Sequence, residues 1–394
     1  MSRKTAAIMI IAVLVLLGGG LAWYFWASAP AGPGERGSFF GDLPIIGGGS
    51  RGGTAPSGVP QPAGADDGRG LGEARNLIQV VAKDILAPAL SSDGGSLRYI
   101  ARENGHVFSS DLDGASEQKL VNVTVLETFD AIWTPKRDRA AVFYHESGVV
   151  KKFLNGVASG TPSRIMPQET TSLDWSPDGL SLAYLLRRAS DTALVIANAD
   201  SQKPATVFST PIPDFTIRWV SKNTILLISR PSGLAPSIVM RFDVTSRKAT
   251  LIRSGAEGIV LAPIPDGSGF LFSQSSNGGR AETLSLYALK DGAASPINLV
   301  TIAEKCAFSK DSKKLYCGVP EGGLPNPMPD EWYKGAILFS DRIVEVDLAT
   351  NQMKTVMENT EAIDVISPFA APDGRYLFFQ NKKDGTLWRL ELQR

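Results

Sequence analysis

The chain has 394 residues, and its 40 Lys and Arg balance 40 Asp and Glu, so the formal net charge is zero. That balance excludes the broad basic footprint with which nucleic-acid-binding proteins meet phosphate. Two cysteines and two histidines supply no ligand set with zinc spacing.

The N-terminus opens with Arg3 and Lys4, followed by an almost uninterrupted apolar run over residues 6–27 without a charge. At about 1.5 Å per residue the run can cross a roughly 30 Å hydrocarbon core. Its far end, Trp23-Tyr24-Phe25-Trp26, suits the membrane interface, and the next basic residue is Arg36, so residues 1–5 are expected to stay cytoplasmic. A cleaved signal peptide is the competing reading, because Ala27-Ser28-Ala29 has a small-residue cleavage pattern. The length of the run and Pro30, directly after the cut, favour an uncleaved anchor. No Cys follows the run, which excludes a lipoprotein.

Residues 28–72 are rich in Gly, Pro, Ala and Ser and read as a disordered, flexible linker. One apolar island interrupts it, formed by Phe39, Phe40, Leu43, Ile45 and Ile46. It is either a loosely collapsed stretch or a short docking segment for a partner. Gly48-Gly49-Ser50-Arg51-Gly52 matches the Gly-x-Ser-x-Gly nucleophile elbow formally. With no strand before it or helix after it, the match is accidental.

Residues 73–394 are organised around one recurring pattern, best seen in Leu173-Asp174-Trp175-Ser176-Pro177-Asp178-Gly179 with Leu180, Leu182 and Tyr184 beyond it. An apolar strand ends in Trp, a Pro-Asp-Gly turn follows, and a strand of period two returns. Copies anchor at Leu90, Trp133, Trp175, Trp219, Pro263, Phe308 and Ala370, spaced by 43, 42, 44, 44, 45 and 62 residues. A period in the low forties with several short strands per unit predicts an all-β, seven-bladed β-propeller. The Trp-Ser-Pro-Asp-Gly motif resembles the repeat of TolB-type propellers. Only Trp175 to Gly179 matches it in full, and the Trp219 copy lacks Pro, Asp and Gly. The resemblance implies the fold; such propellers occur both as periplasmic scaffolds and beside hydrolase domains.

The last copy supplies strands near 365–370, 375–380 and 386–392 before the chain ends, one strand short of a blade. Leu77-Ile78-Gln79-Val80-Val81, just before the first anchor, is the expected fourth strand, closing the ring and removing an exposed edge. Cys306 and Cys317 flank the sixth turn at the positions of Leu173 and Tyr184. If Trp175 pairs with Leu182 across the hairpin, Leu173 faces Tyr184, so the two cysteines are expected to face each other and form a disulfide in an oxidising compartment.

No residue emerges as catalytic, metal-binding or cofactor-binding, and no cofactor is expected. His106 and His145 fall near the same turn of the first two blades and read as surface histidines. Lys151-Lys152 reads as solvated. Asp384-Gly385-Thr386-Leu387-Trp388 lacks the spacing of a sialidase Asp-box and reads as a turn into the final strand. The last anchor interval exceeds the others by about 18 residues, placed at 318–334 between the second and third strands of blade six. This Pro-rich insertion carries Met328, Trp332 and Tyr333, a composition suited to an interface anchor. A self-packed cap over the central channel is the equal alternative. The sequence thus points to a non-enzymatic scaffold held at the cytoplasmic membrane on its extracytoplasmic side, with an envelope protein as partner. A glycan-binding propeller, or a hydrolase or lyase using channel carboxylates, are the alternatives.

Overall fold

The repeated turn shows how the sequence makes its hairpins. Ser176 Oγ donates to Asp178 Oδ1 at 2.6 Å, the Leu180 N–H donates to the same oxygen at 3.0 Å, and Gly179 takes φ +72°. The left-handed dihedral is one glycine adopts without a steric penalty. The strands it joins, Thr170–Trp175 and Ser181–Arg187, pair antiparallel with Trp175 opposite Leu182 and Leu173 opposite Tyr184, as the motif predicts. The degraded copy needs no such turn, because Phe215–Ser221 and Thr224–Ser229 are joined by two residues only.

The computed structural model describes residues 77–157, 163–324, 327–358 and 363–392. The expected membrane helix over 6–27, the linker over 28–72 and its island of Phe39, Phe40, Leu43, Ile45 and Ile46 lie outside the described residues. Among the described residues no helix is long and apolar enough to cross a membrane. The described residues are otherwise all-β, with one short α-helix among them, Asp330–Tyr333.

Five antiparallel sheets have four strands each, and a sixth has seven. The seven-stranded sheet arises from one 16-residue strand, Lys248–Pro263. Its first half pairs with Pro236–Asp243 and its second half with Gly269–Ser276, so a single strand serves as outer strand of one repeat and first strand of the next. Where the other repeats break their chain with a loop, this one stays extended and bends at Gly255 and Gly258, with φ +83° and +59°.

The ring closes as expected. Leu77–Val81 pairs antiparallel with Leu387–Glu391, completing the sheet whose other strands are Tyr376–Asn381 and Val365–Ala370. Cys306 pairs with Cys317 in register, and the two form a disulfide across Cys306–Phe308 and Lys314–Pro320. The apolar core lies between successive sheets, where Phe215, Phe242, Phe270, Phe272, Phe378 and Phe379 are fully buried.

Three outcomes test this arrangement. Deleting residues 77–81 unpairs the last sheet and is expected to lower the melting temperature sharply; an unchanged melt would reject the closure. Protein purified without reductant and unfolded in denaturant should titrate no free thiol. Replacing both cysteines by Ser should cost about 2–4 kcal/mol in chemical denaturation, the usual effect of closing a loop of this size.

Candidate functional site

The 318–334 insertion lies, as expected, between the second and third strands of its sheet, Lys314–Pro320 and Asp341–Asp347. Its aromatic and sulfur side chains do not stand out from the surface. Met328 is 1% exposed and Trp332 2%, both inside the largest apolar cluster, and Tyr333 packs against it. These side chains therefore fasten the insertion to the scaffold, and the self-packed alternative describes them. The reason is polar as much as apolar. The Trp332 indole donates to Asp364 Oδ2 at 3.1 Å, and the Phe339 N–H donates to the same oxygen at 3.0 Å.

The insertion crosses several repeats. Ser232 Oγ and the Gly233 N–H donate to the two oxygens of Asp330 at 2.8 and 2.7 Å. The Met328 N–H donates to the Gly279 carbonyl at 3.1 Å, and Ser275 Oγ donates to the Met328 carbonyl at 2.7 Å. Lys382 Nζ, from the last sheet, lies 3.9 Å from the Trp332 ring centroid. A Cβ on Gly233 would fall 2.1 Å from the Met328 carbonyl oxygen, so this close seating needs glycine there.

Beneath the insertion lies a buried ionic network. Lys305 Nζ is 2.8 Å from Asp341 Oδ2 and also pairs with Asp364, all three side chains being fully inaccessible. The ammonium sits about 5 Å from the Trp332 and Phe339 ring centroids (5.0 and 5.1 Å). Burial pushes the Asp341 carboxyl up to about 6 against the attraction of Lys305, and draws Lys382 down to about 8.

A second set of polar groups comes from three first strands and one 3-10 turn. Asp130, Asp174 and Arg218 come from the first strands Thr128–Trp133, Thr170–Trp175 and Phe215–Ser221, and Glu304 from the 3-10 turn Ala303–Lys305. Glu304 is exposed, and it accepts a hydrogen bond from Tyr333 of the insertion. Arg218 acts electrostatically on Asp130, Asp174 and Glu304. Enclosure raises all three carboxyls, Asp130 to about 6, because the charged forms lose hydration. Asp174 is also a clamp, accepting from the Trp175 and Trp219 N–H groups at 2.8 Å each and so joining two successive first strands.

None of Asp130, Asp174, Arg218 or Glu304 stood out in the sequence. A signal existed for two of them: Asp174 and Arg218 each directly precede the anchor Trp, a polar residue on the opposite face of an otherwise buried strand. The histidines lie elsewhere. His106 Nε2 is 3.1 Å from Thr124 Oγ1, and the His145 ring lies 4.9 Å from the Phe129 ring. Among the described residues no three His, Cys, Asp or Glu are placed to hold a metal ion. Lys152 is not solvated: it is buried, its Nζ reaches the Val150 carbonyl at 3.3 Å, and burial lowers it to about 8. The strand's alternation carries it inward while Lys151 faces out to Glu146.

No family model and no curated protein matches this chain in sequence. Solved structures resemble it in fold. An oligogalacturonate lyase from Vibrio parahaemolyticus superposes with a TM-score of 0.56 at 12% identity, over 82% of this chain and 95% of that one. The Cps50 (Swd1) β-propeller domain of Myceliophteria thermophila does so with a TM-score of 0.55 at 11% identity, over 80% and 100%. The TolB of Acinetobacter baumannii reaches a TM-score of 0.37 at 14% identity, over 82% and 65%. At such identities the likeness of the first two establishes a β-propeller fold, and the fold alone.

The insertion also buries Glu282, whose Oε1 lies 2.9 Å from Ser275 Oγ, the hydroxyl proton going to the Met328 carbonyl, and whose other oxygen is unpartnered. Burial raises its carboxyl from 4.5 to about 8. Its contribution to stability is therefore full below about pH 4.5 and lost as the pH rises through about 8. Glu282→Gln should melt with the parent near pH 4.5 and several degrees above it at pH 9. Parallel melting curves across that range would show that the carboxyl is not held protonated.

Proposed function

We propose that this protein is a non-catalytic, seven-bladed propeller held at the outer face of a bacterial cytoplasmic membrane, where it serves as an interaction scaffold for an envelope protein. The blade count is supported by counting Lys248–Pro263 twice, which resolves the seven-stranded sheet into two four-stranded units beside the five others. The location is supported by the basic residues before the apolar run over 6–27 and by the Cys306–Cys317 bridge, a bond at home in exported proteins.

The observation that carries the interaction reading is the fastened insertion. Its bonds to Ser232, Gly233, Gly279 and Asp364 fix a loop that would otherwise lose entropy on binding. Beside it two apolar side chains stay in water: Leu338, just past the insertion, is 48% exposed, and Leu234, next to Gly233 in another repeat, is 66% exposed. Apolar groups on a pre-ordered surface favour protein association. The fixed charges beneath support a structural role, since Lys305, Asp341 and Asp364 satisfy one another and Asp174 spends both oxygens on backbone N–H groups.

The test is an affinity capture from detergent-solubilised membranes after mild crosslinking. Full-length protein is compared with its Leu234→Ser/Leu338→Ser variant. An envelope protein enriched by the parent and lost by the variant, at an unchanged melting temperature, is the expected result. Equal capture by both, or enrichment by neither, would reject this surface as the binding face.

A further inference from the structure

We propose that a cleft at the junction of the second and third repeats binds an extended peptide segment with an acidic side chain among apolar ones. This site shares no residue with the surface at Leu234 and Leu338 and is tested separately from it. The cleft has a volume of about 520 Å³, within the roughly 300–1,000 Å³ usual for ligand sites. The second repeat lines it with its outer strand, Arg164–Ile165, and the two residues that follow. The third repeat lines it with the 201–204 turn, which joins Thr192–Asn198 to Ala205–Thr210, and with the buried Tyr184.

Main-chain geometry points to a peptide. Arg164–Ile165 is the edge of its sheet and pairs only with Val149–Gly156. Leu154 faces Arg164, Phe153 faces Ile165, and the Met166 N–H donates to the Lys152 carbonyl at 2.9 Å. Antiparallel pairs alternate between bonded and non-bonded positions, so Arg164 and Met166 turn their main-chain groups toward the sheet. Ile165, between them, turns its N–H and carbonyl outward. An added strand pairs with such groups, and a cavity beside them receives its side chains. Ile165 itself is 66% exposed, and with Pro167 and Pro204 it gives the cleft an apolar lining.

Charge selects the segment. Arg164 and Lys203 line the cleft, and no Asp or Glu does. Among the described residues neither cation has an ion pair. Asp200, beside the 201–204 turn, is committed to Arg139 Nη2 at 2.5 Å. The turn is braced from within: the Gln202 N–H donates to Asn198 Oδ1 at 2.7 Å, and the Ser201 N–H donates to the Asn198 carbonyl at 2.8 Å. The backbone that carries Lys203 is therefore ordered before anything binds. The Tyr184 hydroxyl is already hydrogen-bonded to Ser201, which leaves the two cations as the charged donors on offer. A carboxylate meets both with charge-assisted bonds, whereas an ammonium meets two like charges.

The test is an affinity selection on full-length protein in a non-ionic detergent, read by mass spectrometry against protein-free micelles. The probes are capped hexapeptides with Asp at one central position and Val, Leu, Phe or Thr elsewhere. Matched pools carry Asn or Lys in place of the Asp. Asp peptides are expected to bind about fivefold or more tightly than their Asn counterparts, and Lys peptides most weakly. Arg164→Ala and Lys203→Ala should each weaken the Asp peptides about fivefold, the upper end for partly exposed charge pairs. Ile165→Pro removes the outward N–H, which the sheet does not use, and should abolish the selection. If that variant melts below the parent, Asp peptides methylated at their backbone nitrogens replace it and should not bind. The proposal is overturned if no pool is retained or if Asn or Lys peptides bind as tightly as Asp peptides. It is equally overturned if the folded variants, or the methylated peptides, bind as the parent pair does.

Discussion

The ammonium of Lys305 is the point on which this half of the ring turns. It lies fully inaccessible between Asp341 and Asp364, with the rings of Trp332 and Phe339 about 5 Å away. Three separate segments supply these groups: the turn entering the sixth sheet, the start of that sheet's third strand, and the link into the last sheet. Taking such charges out of water is expensive, and their mutual attraction offsets it only if the remaining lone pairs are also bonded. Here they largely are. Asp364 accepts from the Trp332 indole and the Phe339 N–H, and Asp341 from the Val365 N–H at 2.6 Å. One oxygen of Asp341 stays unpartnered, in keeping with a carboxyl that burial has raised. Removing one member of such a set leaves an uncompensated charge and commonly costs about 3–5 kcal/mol. The disulfide begins at the next residue, Cys306, so covalent and ionic constraints adjoin where the 3-10 turn enters the strand.

Elsewhere the repeats are joined by lighter means. The Trp133 indole donates to the Ala87 carbonyl at 2.7 Å, and the Trp175 indole donates to the Ile132 carbonyl at 3.3 Å. These two anchor Trp residues thus tie their own first strands to the preceding ones, a bond that a plain hydrophobe could not make. In the degraded copy the Trp219 ring nitrogen is buried without a partner. That junction relies instead on Asp174, and on Ser172 Oγ accepting from the Ile217 N–H at 3.1 Å. Polar groups there replace a turn motif that the sequence has lost.

These constraints shape what the molecule can do. The insertion is held from both sides, by Gly233 and Gly279 on one flank and by Asp364 and Lys382 on the other, so the surface formed with the exposed Leu234 and Leu338 beside it is ordered in advance. Tyr333 reaches from the same segment toward the centre and bonds Glu304.

The sequence alone determined the elements that depend on local chemistry. Period-two alternation and the Ser-Pro-Asp-Gly turn gave the hairpins, their spacing gave the repeat, and the missing fourth strand of the last copy identified Leu77–Val81 as its partner. The facing of Cys306 and Cys317 followed from the same register. Tertiary structure decided everything that depends on which repeats meet at the centre. Met328 and Trp332 read equally as interface anchors or as a self-packed cap, because an insertion of Pro and aromatic residues carries no mark of where it folds back. Only Asp364, distant along the chain, draws Trp332 inside. Asp130, Arg218 and Glu304 are single polar residues in three different repeats, and none has a neighbour in sequence that reveals its purpose. Closing the ring brings them within electrostatic reach of one another, and no periodicity along the chain encodes that distance.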